Sequence, residues 1–209
     1  MKKINYFQES TKEYRLLRKA NNNEKPDLLF HVCCGPCTCY PLIFLHDLFN
    51  VTIFFSNSNI YPKAEYDLRL ENLKKYVEIF NKEFNENVKI IEDKYNYEDF
   101  KIDLLPYKDE EENQTRCHIC IKKRLTSLFE YASSHDFHLV TTVMSISRNK
   151  DVDFLNKTGL ALSKNYPGIV YFVNDFKKNN GQDIGVALSK KYNIYRQDYC
   201  GCEFSKKEE

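Results

Sequence analysis

Four of the chain's eight cysteines, Cys33, Cys34, Cys37 and Cys39, fall within seven positions of the stretch HVCCGPCTCY, and two of them are adjacent. The other four form two pairs, Cys117 and Cys120 in RCHIC and Cys200 and Cys202 in CGC. Sulfur in such groups binds zinc or iron, or exchanges electrons as thiol and disulfide. A C-x-x-C at a helix start puts both sulfurs on one turn, where the helix dipole and Arg116 favour the thiolate. Alone, that pair reads as a thioredoxin-like dithiol or half a zinc site. Joined to Cys33 and Cys34 it makes four thiolates, the number taken by structural zinc or by a [4Fe–4S] cube. Adjacent cysteines direct their side chains apart, which is awkward around one tetrahedral ion. A cube offers separate irons, so the vicinal pair favours it.

The remaining thiols divide. Cys37 lies one helical turn beyond the vicinal pair and faces the same place, where it is a candidate ligand for a second metal. Cys39 points elsewhere and reads as a small buried apolar residue. A disulfide between Cys200 and Cys202 would close a very small ring, with the usual Cα separation of about 4.4–6.8 Å barely in reach. Gly201 between them gives the backbone the freedom to bend. A strained bridge of that kind suits a redox relay better than a staple; the plainer reading is two free or metal-binding thiols on a tail.

The elements that must position these sulfurs follow from periodicity. DLLFHV (27–32) is a buried strand, and the thiols come directly after it. PCTCYPLIFLHDLFN is helical, with Pro36 tolerated in the first turn and Pro41 expected to kink or split it. VTIFFSN (51–57) and VKIIE (88–92) are strands, separated by a helix on which Tyr66, Leu70, Leu73, Val77 and Phe80 recur. YEDFKIDLL is helical, and the acidic loop YKDEEENQT follows. A helix from Cys117 to Ser134, a strand HLVTTVM, a helix 152–165, a strand GIVYFV and a helix DIGVALSKKY complete the pattern. Strands alternating with helices predict one α/β domain over 1–209: a three-layer parallel sheet with helices on both faces. It carries an N-terminal helical arm (about 1–25) and a cysteine-containing tail (about 193–209). Ligands of such sheets bind beyond the carboxyl ends of the strands, which is where Cys33 and Cys34 fall.

Composition narrows the class. The chain has 209 residues and a net charge of +1, so no global field draws it to nucleic acid, although a local basic face is compatible with that sum. The start lacks an apolar signal core and no run approaches about 18 apolar residues, so a cytoplasmic protein without membrane contact is expected. Reducing surroundings favour metal or redox chemistry over a disulfide framework.

LLFHVCCGPC, FFSNSNIYPKAEYDLR, RCHIC, TTVMSIS, NDFKK and YRQDYCGC stand in the order found in the epoxyqueuosine reductases of the QueH type, and the chain resembles that family from Asp27 to Cys202. The resemblance implies a fold similar to the adenine-nucleotide alpha-hydrolase (HUP-like) group. It also implies cobalamin-independent, two-electron removal of the epoxide oxygen from epoxyqueuosine at the tRNA wobble position. By motif, Cys33, Cys34, Cys117 and Cys120 would hold a [4Fe–4S] cluster, Cys200 and Cys202 would be the redox-active pair, and an additional mononuclear iron would use Cys37 where some members carry an acidic residue. ATP-using relatives of that fold have an S-G-G-x-D-S type loop where this chain has HVCCGPC, so no ATP is expected.

Candidates for positioning or proton delivery are His31, Tyr61, Glu65, Tyr66, Arg69, Arg196 and Tyr199. KKR at 122–124, FKK at 176–178 and Arg148 with Lys150 are candidate RNA-facing cations, and tyrosines are candidate stacking partners for bases. The tRNA would be joined by an electron donor that the sequence leaves unnamed. Rival readings are a zinc-stabilised RNA-binding module, which leaves CGC unexplained, and another iron–sulfur tRNA-modifying enzyme of the same fold group.

Overall fold

The computed structural model describes residues 4–20 and 24–206, with side chains at 17, 18 and 20 left aside. Five strands form one sheet in the order β3-β2-β1-β4-β5, every neighbouring pair parallel. They are β1 (Asp27–His31), β2 (Asn50–Phe55), β3 (Lys89–Glu92), β4 (Leu139–Thr142) and β5 (Val170–Tyr171). The helices are α1 (Tyr6–Ala20), α2 (Gly35–His46), α3 (Lys63–Phe84), α4 (Tyr97–Ile102), α5 (Thr115–Ser134), α6 (Val152–Asn165) and α7 (Gly181–Lys191). This is the three-layer parallel α/β architecture expected.

Alternation along β1 assigns the layers. Leu28 and Phe30 join Val51, Ile53 and Phe55 of β2 in a core that takes Leu42 and Leu45 of α2 and Leu70, Leu73 and Val77 of α3. Leu29 and Phe54 face the other way, onto Ile121, Leu125, Leu128 and Phe129 of α5 and Leu155 and Leu162 of α6. Helix α1 is packed rather than free: Phe7 meets Phe44 of α2, Tyr14 meets Phe49, and the Tyr6 hydroxyl donates to Asp153 at 2.7 Å.

Two local expectations are corrected. Pro41 lies inside α2 without dividing it, its ring buried in the core, so the missing N–H removes one bond and burial holds the helix together. The strand expected through Met144 ends at Thr142, whose hydroxyl accepts from the Met144 amide at 3.2 Å and turns the chain into a 3-10 segment, Val143–Ile146. Among the described residues no helix is long and apolar enough to cross a membrane.

Strand β1 is flanked by β2 on one side and β4 on the other. Connections leave these strands in opposite directions, which opens a crevice beyond their carboxyl ends. The loop after β1 holds Cys33 and Cys34, and the loop after β4 leads to Lys150.

Candidate metal and redox site

The crevice is a cleft of about 1070 Å³ whose walls include Cys33, Cys37, Arg124, Lys150, Gln197 and Cys200. Cys33 and Cys34 occupy the turn between β1 and α2, with Cys34 at the N-cap in extended backbone. The sulfurs of Cys33, Cys34 and Cys37 all lie within 4.8 Å of one another, and those of Cys33 and Cys34 are 3.8 Å apart. The expected divergence of the adjacent pair is therefore not what is found: the turn into α2 swings both sulfurs to one side. A tetrahedral ion with bonds of about 2.3 Å has an edge of about 3.8 Å, so this trio also suits a single metal.

Within the trio the charge is unequal. Hydrogen bonding with Cys34 and then Cys37, together with the Arg124 charge, holds Cys33 well below the ordinary thiol range. Burial pushes Cys34 up, and donation to Cys33 and burial push Cys37 up. Of the three, Cys33 is the sulfur whose surroundings most favour the thiolate.

Cys117 and Cys120 sit in the first turns of α5, Cys120 buried and pushed up to about 12 by desolvation. They are not members of the close trio. Their electrostatic neighbours join them to the same cleft, because Arg124 acts on both Cys33 and Cys120. Lys150 feels Cys200, Cys120 and Cys117, and its ammonium donates to the Cys200 sulfur at 3.1 Å. Burial raises the Cys202 thiol, with Cys200, Arg116 and Cys117 nearby. All eight cysteines are free thiols. Cys39 is buried, donates to the Gly35 carbonyl at 3.4 Å and is pushed up to about 12 by burial, a packing role.

The tail is clamped onto α3. Arg69, 1% exposed, pairs with Glu65 at 2.6 Å and donates to the carbonyls of Cys200 at 3.1 Å and Tyr199 at 3.2 Å. Tyr195 donates to Glu65 at 3.0 Å, and Gly201 accepts from the Tyr61 amide at 2.8 Å. Gly201 has φ +102°, where an L side chain is strained, and a Cβ there would lie 2.9 Å from Arg69 Nη1. Glu65 and Arg69 thus position the segment that carries Cys200 and Cys202.

The other candidates separate clearly. Tyr61 and Tyr199 line the cleft, Tyr61 being 43% exposed. Tyr66 is buried with its hydroxyl donating to Glu92 at 3.2 Å, a core residue. His31 is buried, one ring nitrogen 2.8 Å from the Thr142 hydroxyl and the other 3.2 Å from the Ser56 carbonyl. Burial lowers it to about 3, which favours the neutral ring, and it is not among the residues lining the cleft. Arg196 is exposed and lies outside the cleft lining.

The basic runs mix exposed and inward-turned cations: Lys122, Arg148 and Lys178 are exposed, and others are not. Arg124 is 3% exposed and donates to Asn57 at 2.7 Å, while Lys123 is tied to Asp103 at 2.5 Å. Arg148 pairs with Asp183 at 2.9 Å, Phe176 is buried, and Lys177 donates to the Lys150 carbonyl at 3.2 Å. For KKR on α5, helix geometry explains this: consecutive residues point about 100° apart, so Arg124 faces inward while Lys122 stays exposed. Sequence reasoning missed Gln197 altogether; it lay inside YRQDYCGC with nothing to distinguish it from its neighbours.

The family profile described as Epoxyqueuosine reductase QueH matches residues 28–208. The chain is 36% identical over 184 residues to the epoxyqueuosine reductase QueH of Staphylococcus aureus, covering 87% of this chain and 76% of that protein. It is 33% identical over 205 residues to its counterpart in Streptococcus pyogenes serotype M1, covering 98% and 79%. It also superposes on the U34-tRNA thiolase NcsA from Methanococcus maripaludis, solved with its [4Fe-4S] cluster, with TM-score 0.47 and 11% identity over 96% of this chain and 68% of that one. A profile match over nearly the whole chain, together with these relatives, establishes that the chain belongs to the epoxyqueuosine reductase QueH family.

Proposed function

We propose that the chain converts epoxyqueuosine to queuosine at the wobble position of tRNA, without cobalamin or ATP. The observation that carries this reading is one cleft lined by Cys33 and Cys37, whose sulfurs converge with that of the buried Cys34, and by Cys200, in a chain of this family. Removing an epoxide oxygen as water while leaving a C=C bond takes two electrons and two protons. Closing an S–S bond between Cys200 and Cys202 releases two electrons and two protons, so the pair balances the reaction, and an external reductant then reopens it.

Cys33, Cys34, Cys117 and Cys120 would hold a [4Fe–4S] cluster, with Cys37 toward an additional iron. The donor set fits: all are thiols, the surroundings of Cys33 favour its thiolate, and Arg124 and Lys150 stand ready to balance negative charge. When bound, the cluster supplies one-electron transfer and Lewis acidity. The chain's own groups do the rest. Lys150 and Arg124 set positive charge in the cleft wall, where negative charge builds on a departing oxygen. Tyr61 and Tyr199 offer rings at the cleft for an extruded base. The tail brings Cys200 to the same cleft, with Cys202 two residues further on.

The test is anaerobic turnover of epoxyqueuosine-containing tRNA with a chemical reductant, on wild type and Cys117→Ser. Loss of cluster absorbance near about 400 nm together with loss of deoxygenation is expected. Unchanged cluster and turnover in the variant would defeat the assignment. A second reading, a single ion on Cys33, Cys34 and Cys37 alone, is favoured by the 4.8 Å convergence. Iron with equimolar acid-labile sulfide separates the cluster from a lone ion.

A further inference from the structure

Gln197 is the one tail side chain whose amide reaches into the trio of sulfurs. Its Nε2 lies 3.0 Å from the Cys34 sulfur and 4.0 Å from the Cys37 sulfur. No other hydrogen bond is made by this side chain among the described residues, and its Oε1 is buried without a partner. An amide with a buried, unpaired oxygen has its reason for being there in what its NH₂ does. The orientation is informative as well. A thiol accepts or donates and tolerates either end of an amide, whereas a thiolate, or a sulfur bound to metal, only accepts and requires the NH₂. The backbone fixes the amide in place: Tyr195, two residues earlier, is held by its N–H to Asn72 at 2.9 Å and by its hydroxyl to Glu65. Three residues later the Arg69 clamp holds Cys200.

We infer that Gln197 is a positioning residue that donates an N–H···S hydrogen bond to the metal-binding sulfur of Cys34 and so sets the ease with which the centre accepts an electron. This rests on the cluster reading above. Donation to a ligating sulfur stabilises the more electron-rich, reduced state, which raises the reduction potential, and such outer partners commonly matter about ten- to a hundredfold. Because the same tail carries Gln197 and the Cys200–Cys202 pair, the centre's readiness to accept electrons depends on the tail being docked.

The experiment is an anaerobic potentiometric titration of the reconstituted holoenzyme as wild type, Gln197→Leu and Gln197→Glu. Both variants are expected to keep wild-type iron and sulfide content and a lower midpoint potential. Gln197→Glu, which puts an oxygen against the sulfur, should fall at least as far. Turnover should drop about tenfold or more while KM for the tRNA holds. Gln197→Glu preserves size should the leucine variant fold poorly. A loaded cluster whose potential ignores both substitutions overturns this inference alone. A wild-type protein that takes up no cluster under reconstitution overturns the cluster reading and this inference together.

Discussion

Gly201→Ala probes whether the tail's docking, rather than the core, governs access of Cys200 and Cys202 to the cleft. The residue sits at φ +102° with Arg69 Nη1 at 2.9 Å, Ile60 Cγ1 at 3.1 Å and Arg69 Cζ at 3.3 Å from the position of an added Cβ. Backbone strain of that kind amounts to about 1–3 kcal/mol. Displacing the guanidinium also weakens its charged hydrogen bonds to the Cys200 and Tyr199 carbonyls, each about 1.5–3 kcal/mol. Together these make about 3–5 kcal/mol, roughly a hundred- to several thousandfold in the docked population. The reporter is hydrogen exchange at the Tyr61 amide, which donates to the Gly201 carbonyl at 2.8 Å. Its protection should fall by about that factor while amides of β1 hold theirs, and deoxygenation should fall with it. Gly168→Ala is the control, at φ +90° with nothing within 4 Å: strain without collision. Should Gly201→Ala keep wild-type protection at Tyr61, or behave like Gly168→Ala, the clamp argument is wrong.

Arg69→Met removes the cation beside the enclosed Glu65 carboxylate and should destabilise by about 3–5 kcal/mol. For a chain of 209 residues that is a fall of about 10 °C in melting temperature by calorimetry, and a shift below about 3 °C would contradict it. His31 is held neutral by burial at about 3 against an ordinary 6.5. Below about 6.5 the unfolded chain takes up a proton that the folded one refuses. Stability is therefore whole above that pH and falls by about 1.4 kcal/mol per unit toward pH 3. Denaturant melts at pH 4 to 7 should show His31→Gln with a shallower slope by that amount, and parallel curves would refute the neutral buried ring. Gly159→Ala would place a Cβ about 2.5 Å from the Tyr171 ring where α6 crosses β5. Overpacking of about 1–3 kcal/mol should appear as a lower urea midpoint, and an unchanged midpoint would show that the ring moves freely.

Much of this architecture is legible in the residues themselves, because buried parallel strands and amphipathic helices write apolar runs and 3.6-residue spacing directly into the chain. The carboxyl-end placement of Cys33 and Cys34 follows from that pattern alone. What stays hidden depends on contacts between distant segments. Thr142 ends β4 by capping its own turn, which no periodicity encodes. KKR looks like a solvated face until α5 packs and sends Arg124 inward to Asn57. The sulfurs of Cys33 and Cys34 converge because the chain turns into α2 between a strand and a helix, and side-chain alternation holds only within the strand. Gln197 acquires meaning only once Glu65 and Arg69 have pinned the tail.

The net charge of +1 concealed the feature most relevant to chemistry. Lys150 is enclosed in the cleft wall, and among the described residues no carboxylate lies within ion-pair distance of it. A lysine buried in that way should lose its proton. Instead it is raised: burial pulls it down, but Cys200, Cys120 and Cys117 more than offset that pull. The cation therefore has sulfur for its counter-charge. An ammonium placed against thiols and no carboxylate favours their anionic form, which metal ligation or thiolate redox chemistry requires. Replacing Lys150 by methionine, which keeps the stem and deletes the charge, should weaken iron retention under chelator challenge if sulfur is anionic there, and leave it unchanged if those thiols stay protonated.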